Sequence, residues 1–277
     1  MGAETVSSVS DLAYDGSMKS LLSRIVRPVP ASDPENTRRR RLRIDDMPFP
    51  IYAIGDVHGC YDELIDAERR VLADLGSPDR EATLIYLGDY VDRGPNSKAV
   101  LDHLARRNHG DGLTRIALCG NHDDAFLSFI NDPANTMYWL DFGGDATLRS
   151  YGIEPYQYFG RSGGLTELKL RMKEVIPQEH VNFLQYLPIA LQVRSVVFVH
   201  AGVRPGVPME RQSDEDLIWI REPFLTEGPR LPLVVIHGHT ASQEPVFDER
   251  RICIDTCCYA TGRLAVLRLG PHGAHIL

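Results

Sequence analysis

Aspartate, asparagine and histidine side chains follow five short apolar segments of the 277-residue chain, at the point where each segment ends. In chain order they are Asp56 and His58, Asp89, Asn121 and His122, His200, and finally His239. Ligands bind at the carboxyl ends of strands in open α/β sheets, so we expect these side chains to converge. Oxygen and imidazole ligands without thiolates suit Mn²⁺, Fe or Zn²⁺. Their number exceeds what one catalytic ion takes from a protein, which favours two ions with a bridging carboxylate.

The apolar segments have strand length and alternate with helix-length stretches from Phe49 onward. Their Val, Ile, Leu and Tyr content predicts strands at 51–54, 82–87, 113–118, 196–199, 233–236, 251–255 and 264–269. Helix-length stretches separate the first three strands, at 61–75 and 96–108. Strands that alternate with helices indicate a layered α/β fold.

Residues 124–193 interrupt this alternation. Apolar residues recur with helical spacing at Leu165–Val175 and His180–Leu187, which predicts a mostly helical insertion beside the site. We expect its aromatic rings to pack within the insertion. These aromatic residues include Tyr138, Trp139 and Phe142.

The first 46 residues show no strong strand pattern, and we predict a flexible extension before a catalytic domain at 47–277. Within the extension, Met18–Val26 has the spacing of a short amphipathic docking helix that ends before two prolines. The run of arginines between Arg38 and Arg43 is interpreted as a solvated segment.

Composition excludes several classes of protein. Lys plus Arg number 30 and Asp plus Glu number 38, and this net charge of −8 argues against specific nucleic-acid binding. No run of about 18 apolar residues predicts a membrane span. The five cysteines, without a secretion pattern, favour a cytoplasmic location over a disulfide scaffold. The spacing of Cys253, Cys257 and Cys258 matches no common zinc site, so we expect small buried side chains.

Three glycine-bounded motifs resemble the signature of a known enzyme family. They are Gly55-Asp56-Val57-His58-Gly59, Gly88-Asp89-Tyr90-Val91-Asp92-Arg93-Gly94 and Gly120-Asn121-His122-Asp123, followed by His200-Ala201-Gly202 and Gly238-His239-Thr240. In this order they are similar to the motifs of the phosphoprotein phosphatase family of calcineurin-like metallophosphoesterases, over about residues 49–269. The resemblance implies a four-layer α/β/β/α sandwich with a mostly helical insertion. Asp123 departs from many eukaryotic members, which have Glu there.

The resemblance also implies a set of metal ligands. One ion would be held by Asp56, His58 and Asp89, and the second by Asp89, Asn121, His200 and His239, with Asp89 bridging. Spacing alone leaves either His237 or His239 as the last ligand, and the family pattern selects His239. The implied cofactor is a pair of divalent ions, Mn²⁺ first, with Fe or Zn²⁺ as alternatives.

Further residues acquire catalytic roles through the same resemblance. A metal-bridging hydroxide would attack phosphorus, and the substrate phosphate would be held by Arg93, Asn121 and Arg221. His122 would protonate the leaving group, with Asp92 orienting its ring and raising its pKa.

Two activities fit these motifs. The intact Val91-Asp92-Arg93-Gly94 segment favours a serine/threonine protein phosphatase acting on a phosphoprotein or a small phosphoester. The alternative is a symmetrical bis(5'-nucleosyl)-tetraphosphatase acting on a dinucleotide, a group in which the Asp of this segment is commonly replaced. A catalytically dead scaffold is disfavoured because His122, Asp92, Arg93 and all six implied ligands are present. The oligomeric state is left open.

Overall fold

The computed structural model describes residues 39–77, 80–106 and 110–277. The strands of this part of the chain are β1 (Arg41–Ile44), β2 (Ile51–Ile54), β3 (Ala82–Tyr86), β4 (Leu113–Ala117), β5 (Ala190–Val193), β6 (Val196–Val199), β7 (Val234–His237), β8 (Val246–Phe247), β9 (Arg251–Cys253), β10 (Val266–Gly270) and β11 (Gly273–Ile276). The α-helices are α1 (Tyr61–Leu75), α2 (Ser97–Leu104), α3 (Asn121–Asn131), α4 (Gly144–Ser150), α5 (Gly164–Val175), α6 (Gln178–Tyr186), α7 (Asp214–Trp219), α8 (Phe224–Glu227) and α9 (Cys258–Thr261).

The strands form two mixed sheets. One has five strands in the order β11-β10-β2-β3-β4, and the other has six in the order β1-β5-β6-β7-β9-β8. Strands β2, β3 and β4 run parallel, as do β6, β7 and β9. The carboxyl ends of parallel strands meet at one edge of their sheet, which brings the loops after them together.

The two sheets pack face to face, and helices cover both outer faces. On β2, Ile51 and Ala53 point into the core between the sheets, whereas Tyr52 and Ile54 point into the core shared with α1 to α6. A third core lies on the outer face of the six-stranded sheet, where α7 and α8 pack. The molecule is therefore the four-layer α/β/β/α sandwich that the motifs implied. None of the helices that the structure describes is long and apolar enough to cross a membrane.

The insertion is largely helical in its described form. It contains α4, α5, α6 and two short 3₁₀ helices, Met137–Phe142 and Pro155–Tyr158. The two predicted helical segments correspond to α5 and α6. The last four predicted residues of the insertion instead form β5, a strand of the six-stranded sheet.

The structure differs from the predicted boundary at residue 46. β1 pairs in parallel with β5, Arg41 opposite Ala190, and so belongs to the six-stranded sheet. Leu42 and Ile44 pack on the core between the sheets, while the side chains of Arg39 and Arg41 are only 12% and 10% exposed. This part of the arginine run is therefore packed and not solvated. Arg38 and the predicted helix Met18–Val26 lie outside the described residues.

Candidate metal centre

The predicted ligands converge at the edge where the strands of both sheets end. Asp56 and His58 follow β2, Asp89 follows β3, Asn121 opens α3 after β4, His200 follows β6 and His239 follows β7. All of these side chains are buried, with 0 to 7% of their surface exposed. Several backbones here are strained, since His58, Asp89 and His239 have positive φ angles of 44°, 54° and 63°. Such strain clusters at functional sites because the surrounding fold holds it in place.

The carboxylate of Asp89 lies at the centre of the site. Its Oδ2 is 3.5 Å from Nε2 of His58 and 3.4 Å from Nε2 of His200. The other ring nitrogens are engaged, because Nδ1 of His58 lies 2.8 Å from the Val91 carbonyl and Nδ1 of His200 lies 3.1 Å from the Leu87 carbonyl. Both Nε2 atoms are thereby aimed at Asp89, an orientation typical of metal-ligating histidines.

His239 presents a buried nitrogen without a partner. Its ligand atom lies within 4.8 Å of those of Asp89 and His200, and its Nε2 has no hydrogen-bond partner among the described residues. The Oδ1 of Asn121 is also close, 2.8 Å from Nε2 of His200. A buried polar atom without a partner is costly, and a cation between these donors would satisfy it. The residues present therefore fit a divalent ion.

His237 is excluded from this group by the strand it occupies. It is the last residue of β7, and its ring packs 5.1 Å from that of Phe224. Phe224 belongs to the core on the outer face of the six-stranded sheet. Side chains alternate along a strand, so His237 shares a face of β7 with Val235, which belongs to that outer core. His237 therefore points away from Asp89, and the geometry favours His239, which lies beyond the strand.

The positions of Asp56 and His122 differ from those that the motifs implied. The carboxylate of Asp56 accepts the backbone N–H of His239 at 3.0 Å, and it is not within the group formed by the ligand atoms of His58, Asp89 and His122. His122 takes its place in that group, with Nε2 3.9 Å from Oδ2 of Asp89. Burial, followed by the neighbouring Asp255, raises the pKa of Asp56. A bound cation would restore its charged form.

Two of the three ligand imidazoles carry the charge state that metal binding needs. Burial lowers the pKa of His58 to about 3 and that of His239 to about 2, so both rings are neutral at neutral pH. Burial lowers the pKa of the third, His200, but Asp89 and Asp56 outweigh it and raise that pKa to about 9. A cation beside His200 would favour its neutral form. Neutral imidazoles beside carboxylates form the donor set of Mn²⁺, Fe or Zn²⁺.

Asp255 adds a buried carboxylate that the sequence did not single out. The sequence pattern could have identified Asp255, because this residue ends the predicted strand 251–255, as the predicted ligands end theirs.

His122 and Asp92 form a buried pair beside the ligands. Nδ1 of His122 lies 2.7 Å from Oδ2 of Asp92. That oxygen also accepts from Nε1 of Trp139 at 2.7 Å, and Oδ1 accepts from Oγ1 of Thr147 at 2.7 Å. Burial lowers the pKa of His122, but Asp89 and Asp92 outweigh it, so the pKa lies above its ordinary value. Trp139 packs within the insertion as expected, yet its contact with Asp92, and Thr147 altogether, were missed.

Two arginines flank the site from different sheets. The Nη1 of Arg93 lies 3.0 Å from Nε2 of His58, and its Nη2 lies 3.1 Å from Nε2 of His122. Its guanidinium also stacks 4.9 Å above the ring of Tyr259. Arg221 is exposed, and its Nη2 is 3.4 Å from the carbonyl oxygen of His239. The structure thus brings both predicted phosphate-binding arginines to the ligand cluster.

Exposed aromatic side chains line one side of the site. The ring of Phe142 lies 5.8 Å from that of His122 and 5.7 Å from that of Trp219, which lies 6.1 Å from that of His239. Tyr138 extends the row, 5.8 Å from Phe142. Trp219 is 36% exposed and Tyr138 is 49% exposed. We call Tyr138, Phe142 and Trp219 the aromatic wall.

Asp123 has a structural role that explains its short side chain. Its carboxylate accepts the backbone N–H groups of Asp89 at 2.8 Å, Tyr90 at 2.9 Å and Gly120 at 2.9 Å. Space at this junction is tight, because an added Cβ at Gly120 would collide with the carboxylate of Asp89. Asp123 therefore fixes the second motif against the third from a distance that an aspartate can span.

Comparison with known proteins agrees with this geometry. The calcineurin-like phosphoesterase family matches residues 49–270. The asymmetrical bis(5'-nucleosyl)-tetraphosphatase PrpE of Bacillus velezensis is 22% identical over 79% of this chain and 88% of that enzyme. The symmetrical bis(5'-nucleosyl)-tetraphosphatase of Klebsiella pneumoniae is 33% identical over 57% of this chain, but the match spans only 45% of that enzyme.

A crystal structure assigned as a diadenosine tetraphosphatase has the same fold, with a TM-score of 0.60 and 22% identity over 87% of this chain and 98% of that chain. The family match covers the strands from β2 to β10 and every predicted ligand, and it leaves out the edge strands β1 and β11. The chain therefore belongs to the calcineurin-like phosphoesterase family, and it is a metal-dependent phosphoesterase with a dinuclear centre.

Proposed function

We propose that the chain hydrolyses bis(5'-nucleosyl) tetraphosphates. The symmetrical enzyme of this class was the alternative in the sequence analysis, and the class now replaces the serine/threonine protein phosphatase as the first candidate. The observation that carries it is the aromatic wall, which runs from the ring of His122 to that of His239 beside the candidate ligands.

The aromatic wall suits a substrate with a planar base. Stacking of a nucleobase on an aromatic side chain contributes about 1–3 kcal/mol and tolerates any base, because every base has a π-face. Trp219 and Tyr138 expose their rings next to the position of the phosphates. A phosphoserine side chain has no flat group that could use such a surface.

The named relatives support the same class of substrate. PrpE, which aligns over most of its own length, is an asymmetrical bis(5'-nucleosyl)-tetraphosphatase. The enzyme from Klebsiella pneumoniae is a symmetrical one. We infer a shared substrate class from these names. The products of hydrolysis would show which phosphoanhydride bond is cleaved.

We propose the ligand set that the motifs implied. Two divalent ions held there would supply an activated water and neutralise the charge of the phosphoryl group. The first ion would be held by Asp56, His58 and Asp89, and the second by Asp89, Asn121, His200 and His239. Two observations support this ligand set. Asp89 lies between His58 and His200, and Nε2 of His239 has no hydrogen-bond partner among the described residues. Mn²⁺ is our first choice.

The remaining polar residues act on the substrate itself. Arg93 and Arg221 hold phosphate oxygens, since a planar guanidinium can donate two parallel hydrogen bonds. Asn121 contributes its amide. His122 donates its Nδ1–H to Asp92, and the raised pKa of the ring favours the imidazolium form, which carries a second proton at Nε2. That proton is delivered to the leaving oxygen.

The second candidate is a phosphomonoesterase acting on phosphoserine or phosphothreonine. The pairing of His122 with Asp92 favours it, because an alkoxide is a poor leaving group and needs an acid. A nucleotide leaving group is already stable as an anion and needs the acid less. The pair does not forbid polyphosphates, so it weighs less than the aromatic wall.

Steady-state kinetics would test the proposal. Purified Mn²⁺-loaded chain is assayed with diadenosine tetraphosphate, a phosphoserine peptide and p-nitrophenyl phosphate, and the products are separated by chromatography. We expect the highest kcat/KM with diadenosine tetraphosphate. A phosphopeptide preference of tenfold or more, about 1.4 kcal/mol in the barrier, would reinstate the protein phosphatase.

Variants of the aromatic wall connect this preference to the structure. Trp219→Leu should raise KM for diadenosine tetraphosphate about 5- to 150-fold, the range that corresponds to one lost base stack. KM for p-nitrophenyl phosphate should change little. The matched control is Tyr186→Ala, which removes an aromatic ring that is 65% exposed at the end of α6 and is not part of the wall. An unchanged KM in Trp219→Leu would remove the wall from substrate binding.

A further inference from the structure

Two cysteines and a glutamate that are distant in sequence meet at the start of α1. Cys60, Glu63 and Cys258 each offer one ligand atom, and these atoms lie within 4.8 Å of one another. The cysteines are only 7% and 2% exposed, while Glu63 is half-buried. We call these three residues the thiol cluster. It shares no residue with the ligand set of the dinuclear centre.

Local backbone structure fixes the positions of the three side chains. Cys60 immediately precedes α1, and Glu63 lies in the first turn of that helix. Cys258 is the first residue of α9, which begins after Cys257 in the left-handed conformation. The thiol of Cys60 also donates to the carbonyl oxygen of His58 at 3.6 Å. The cluster is therefore built from two chain segments that the fold already holds together.

The donor set matches one class of cation. Thiolate and carboxylate ligands together suit Zn²⁺, which binds sulfur at about 2.3 Å in tetrahedral geometry. Two sulfurs bound to one such ion lie about 3.8 Å apart by that geometry. The two thiol sulfurs would therefore have to approach each other by about 1 Å at most to bind the same ion. With three protein ligands, a water would take the fourth position.

The surroundings also favour a cation. Among the described residues, the Glu63 side chain has no hydrogen bond or ion pair, so its carboxylate is free to bind. An open cavity of about 500 Å³ reaches Glu63 from solvent. Its charged lining comprises the carboxylates of Asp62, Glu63, Asp66 and Glu244 and the guanidinium groups of Arg70 and Arg263. Carboxylates outnumber cations along this path, which draws positive ions inward.

We propose that the thiol cluster is a third cation site, selective for Zn²⁺ or another thiol-binding divalent ion. Binding replaces the two thiol protons, which leave to solvent, by two metal–sulfur bonds. The sequence analysis did not find it because Cys60 and Cys258 come from opposite ends of the catalytic domain, and the spacing of Cys253, Cys257 and Cys258 matches no zinc site.

The position of the cluster connects it to the phosphate side of the dinuclear centre. Cys60 lies two residues after His58, and Cys258 directly precedes Tyr259. The ring of Tyr259 contacts that of His58 at 5.5 Å and carries the guanidinium of Arg93 at 4.9 Å. An ion in the cluster would join these two segments, so we expect Zn²⁺ to change KM more than kcat.

Cadmium serves as a spectroscopic probe that separates this site from the dinuclear centre. Cd²⁺ bound to thiolate gives a charge-transfer band in the ultraviolet, whereas the dinuclear ligand set contains no thiolate. Full-length chain, reduced and saturated with Mn²⁺, is titrated with Cd²⁺, and Zn²⁺ is then added in competition. We expect the band to develop to one equivalent in the wild type and Zn²⁺ to abolish it.

Three cysteine variants locate the ion. In Cys60→Ser and Cys258→Ser, the affinity for Cd²⁺ should fall at least about tenfold, since even outer partners of a metal site cost that much. Cys257→Ser is the matched control, because it removes a thiol from the same segment that is not in the cluster. Equal loss of the band in Cys257→Ser, or its retention in both other variants, would overturn the assignment.

Alkylation of the wild-type chain gives a readout that does not depend on the folding of a variant. We expect Zn²⁺ to protect Cys60 and Cys258 from a maleimide reagent, as mapped by peptide mass spectrometry. Unchanged labelling of both thiols would contradict the proposal. So would a disulfide between them in chain isolated without added oxidant, since the pair would then be redox-active instead of metal-binding.

Discussion

The indole Nε1–H of Trp139 donates a 2.7 Å hydrogen bond to Oδ2 of Asp92, the oxygen that also contacts His122. Trp139 is fully buried, with its ring stacked 5.0 Å from Phe126. The helical insertion therefore reaches the acid through Trp139 as well as through Thr147, whose Oγ1 donates to Oδ1 of Asp92. A carboxylate held by a packed indole keeps one orientation, and it keeps the imidazole in one orientation as well.

Replacing Trp139 by Phe tests this contact. The variant keeps an aromatic ring but leaves the buried carboxylate of Asp92 with one donor fewer. We expect a loss of about 1.5–3 kcal/mol in the free energy of unfolding, as for a hydrogen bond to a charged group. We also expect a lower kcat with little change in KM, measured by urea titration and steady-state kinetics. The control Phe126→Leu should lose stability with kcat preserved, and an equally preserved kcat in Trp139→Phe would speak against the contact.

Arg39 ties the start of the described chain to the helix that carries Asn121 and His122. Its guanidinium donates to Oδ1 of Asp124 on α3 at 2.8 Å and to the carbonyl oxygen of Leu184 on α6 at 2.8 Å. Its backbone N–H donates to Asp214 on α7 at 2.7 Å. One residue thus joins three helices around the site.

We expect Arg39→Ala to lower the free energy of unfolding by about 1–3 kcal/mol, because it leaves polar partners without a donor. The resulting freedom of α3 should reduce kcat as well. Differential scanning calorimetry and kinetics would measure both effects. Arg40→Ala is the matched control, since within the described part of the chain the exposed Arg40 side chain makes one hydrogen bond, to the Tyr186 carbonyl oxygen. Similar losses of stability and kcat in the two variants would mean that the contacts of Arg39 with the three helices do not stabilise the site.

A buried ionic network on the five-stranded sheet predicts acid sensitivity. The carboxylate of Glu68 accepts from Tyr86 at 2.6 Å, from His103 at 2.8 Å and from Arg115 at 2.8 Å. Burial alone would raise the pKa of Glu68, but the hydrogen bonds from His103, Tyr86 and Arg115 outweigh it and lower the pKa to about 2. The network therefore holds Glu68 in its charged form.

A depressed pKa gives stability above the unfolded-state pKa of about 4.5 that is lost as the pH falls toward 2. The shift corresponds to at most about 3 kcal/mol. We expect Glu68→Gln to be less stable than wild type at pH 7 and to lose less of its remaining stability on acidification. Urea unfolding as a function of pH would measure this. Glu174→Gln, at an exposed ion pair on α5, should follow the wild-type curve, and parallel curves for Glu68→Gln would contradict the network.

The strand ends could be predicted from the sequence because each is a local pattern. Asp56 and His58 come after four buried strand residues, in a turn bounded by Gly55 and Gly59. The same applies to Asp89 after β3. Parallel strands bring such turns to one edge, so local recognition was enough to assemble the site.

The contacts that the sequence did not reveal join residues far apart in the chain. Trp139 and Asp92 are separated by 47 positions, and neither residue type indicates which partner it contacts. β1 was missed because a strand of four residues with two arginines has a pattern only when its partner β5 is known. Cys60 and Cys258 likewise meet only through the pairing of β2 with β10.

Asp89 should matter to both ions because it contacts histidines from both proposed ligand sets. We expect Asp89→Asn to retain less than one ion per chain after dialysis, since the neutral amide is a poorer ligand for each ion. Elemental analysis would count the ions. The control Asp123→Asn removes a carboxylate that accepts hydrogen bonds from backbone amides instead. This variant should be less stable than the wild type but should retain its metal ions. Two retained ions with normal activity in Asp89→Asn would contradict the shared ligand.

His122 should matter according to the leaving group. His122→Asn removes the proton held at Nε2, so turnover of a phosphoserine peptide, whose alkoxide needs protonation, should fall about 10²–10⁴-fold. The loss should be much smaller with p-nitrophenyl phosphate and with diadenosine tetraphosphate, because their leaving groups are stable anions. Asp92→Asn should reproduce the pattern in weaker form, since it leaves the imidazole but removes the carboxylate 2.7 Å from its Nδ1. Rates are compared at saturating Mn²⁺, which separates acid catalysis from metal loss. Equal losses on all three substrates would show that His122 binds metal or substrate, as its place in the group with His58 and Asp89 also allows.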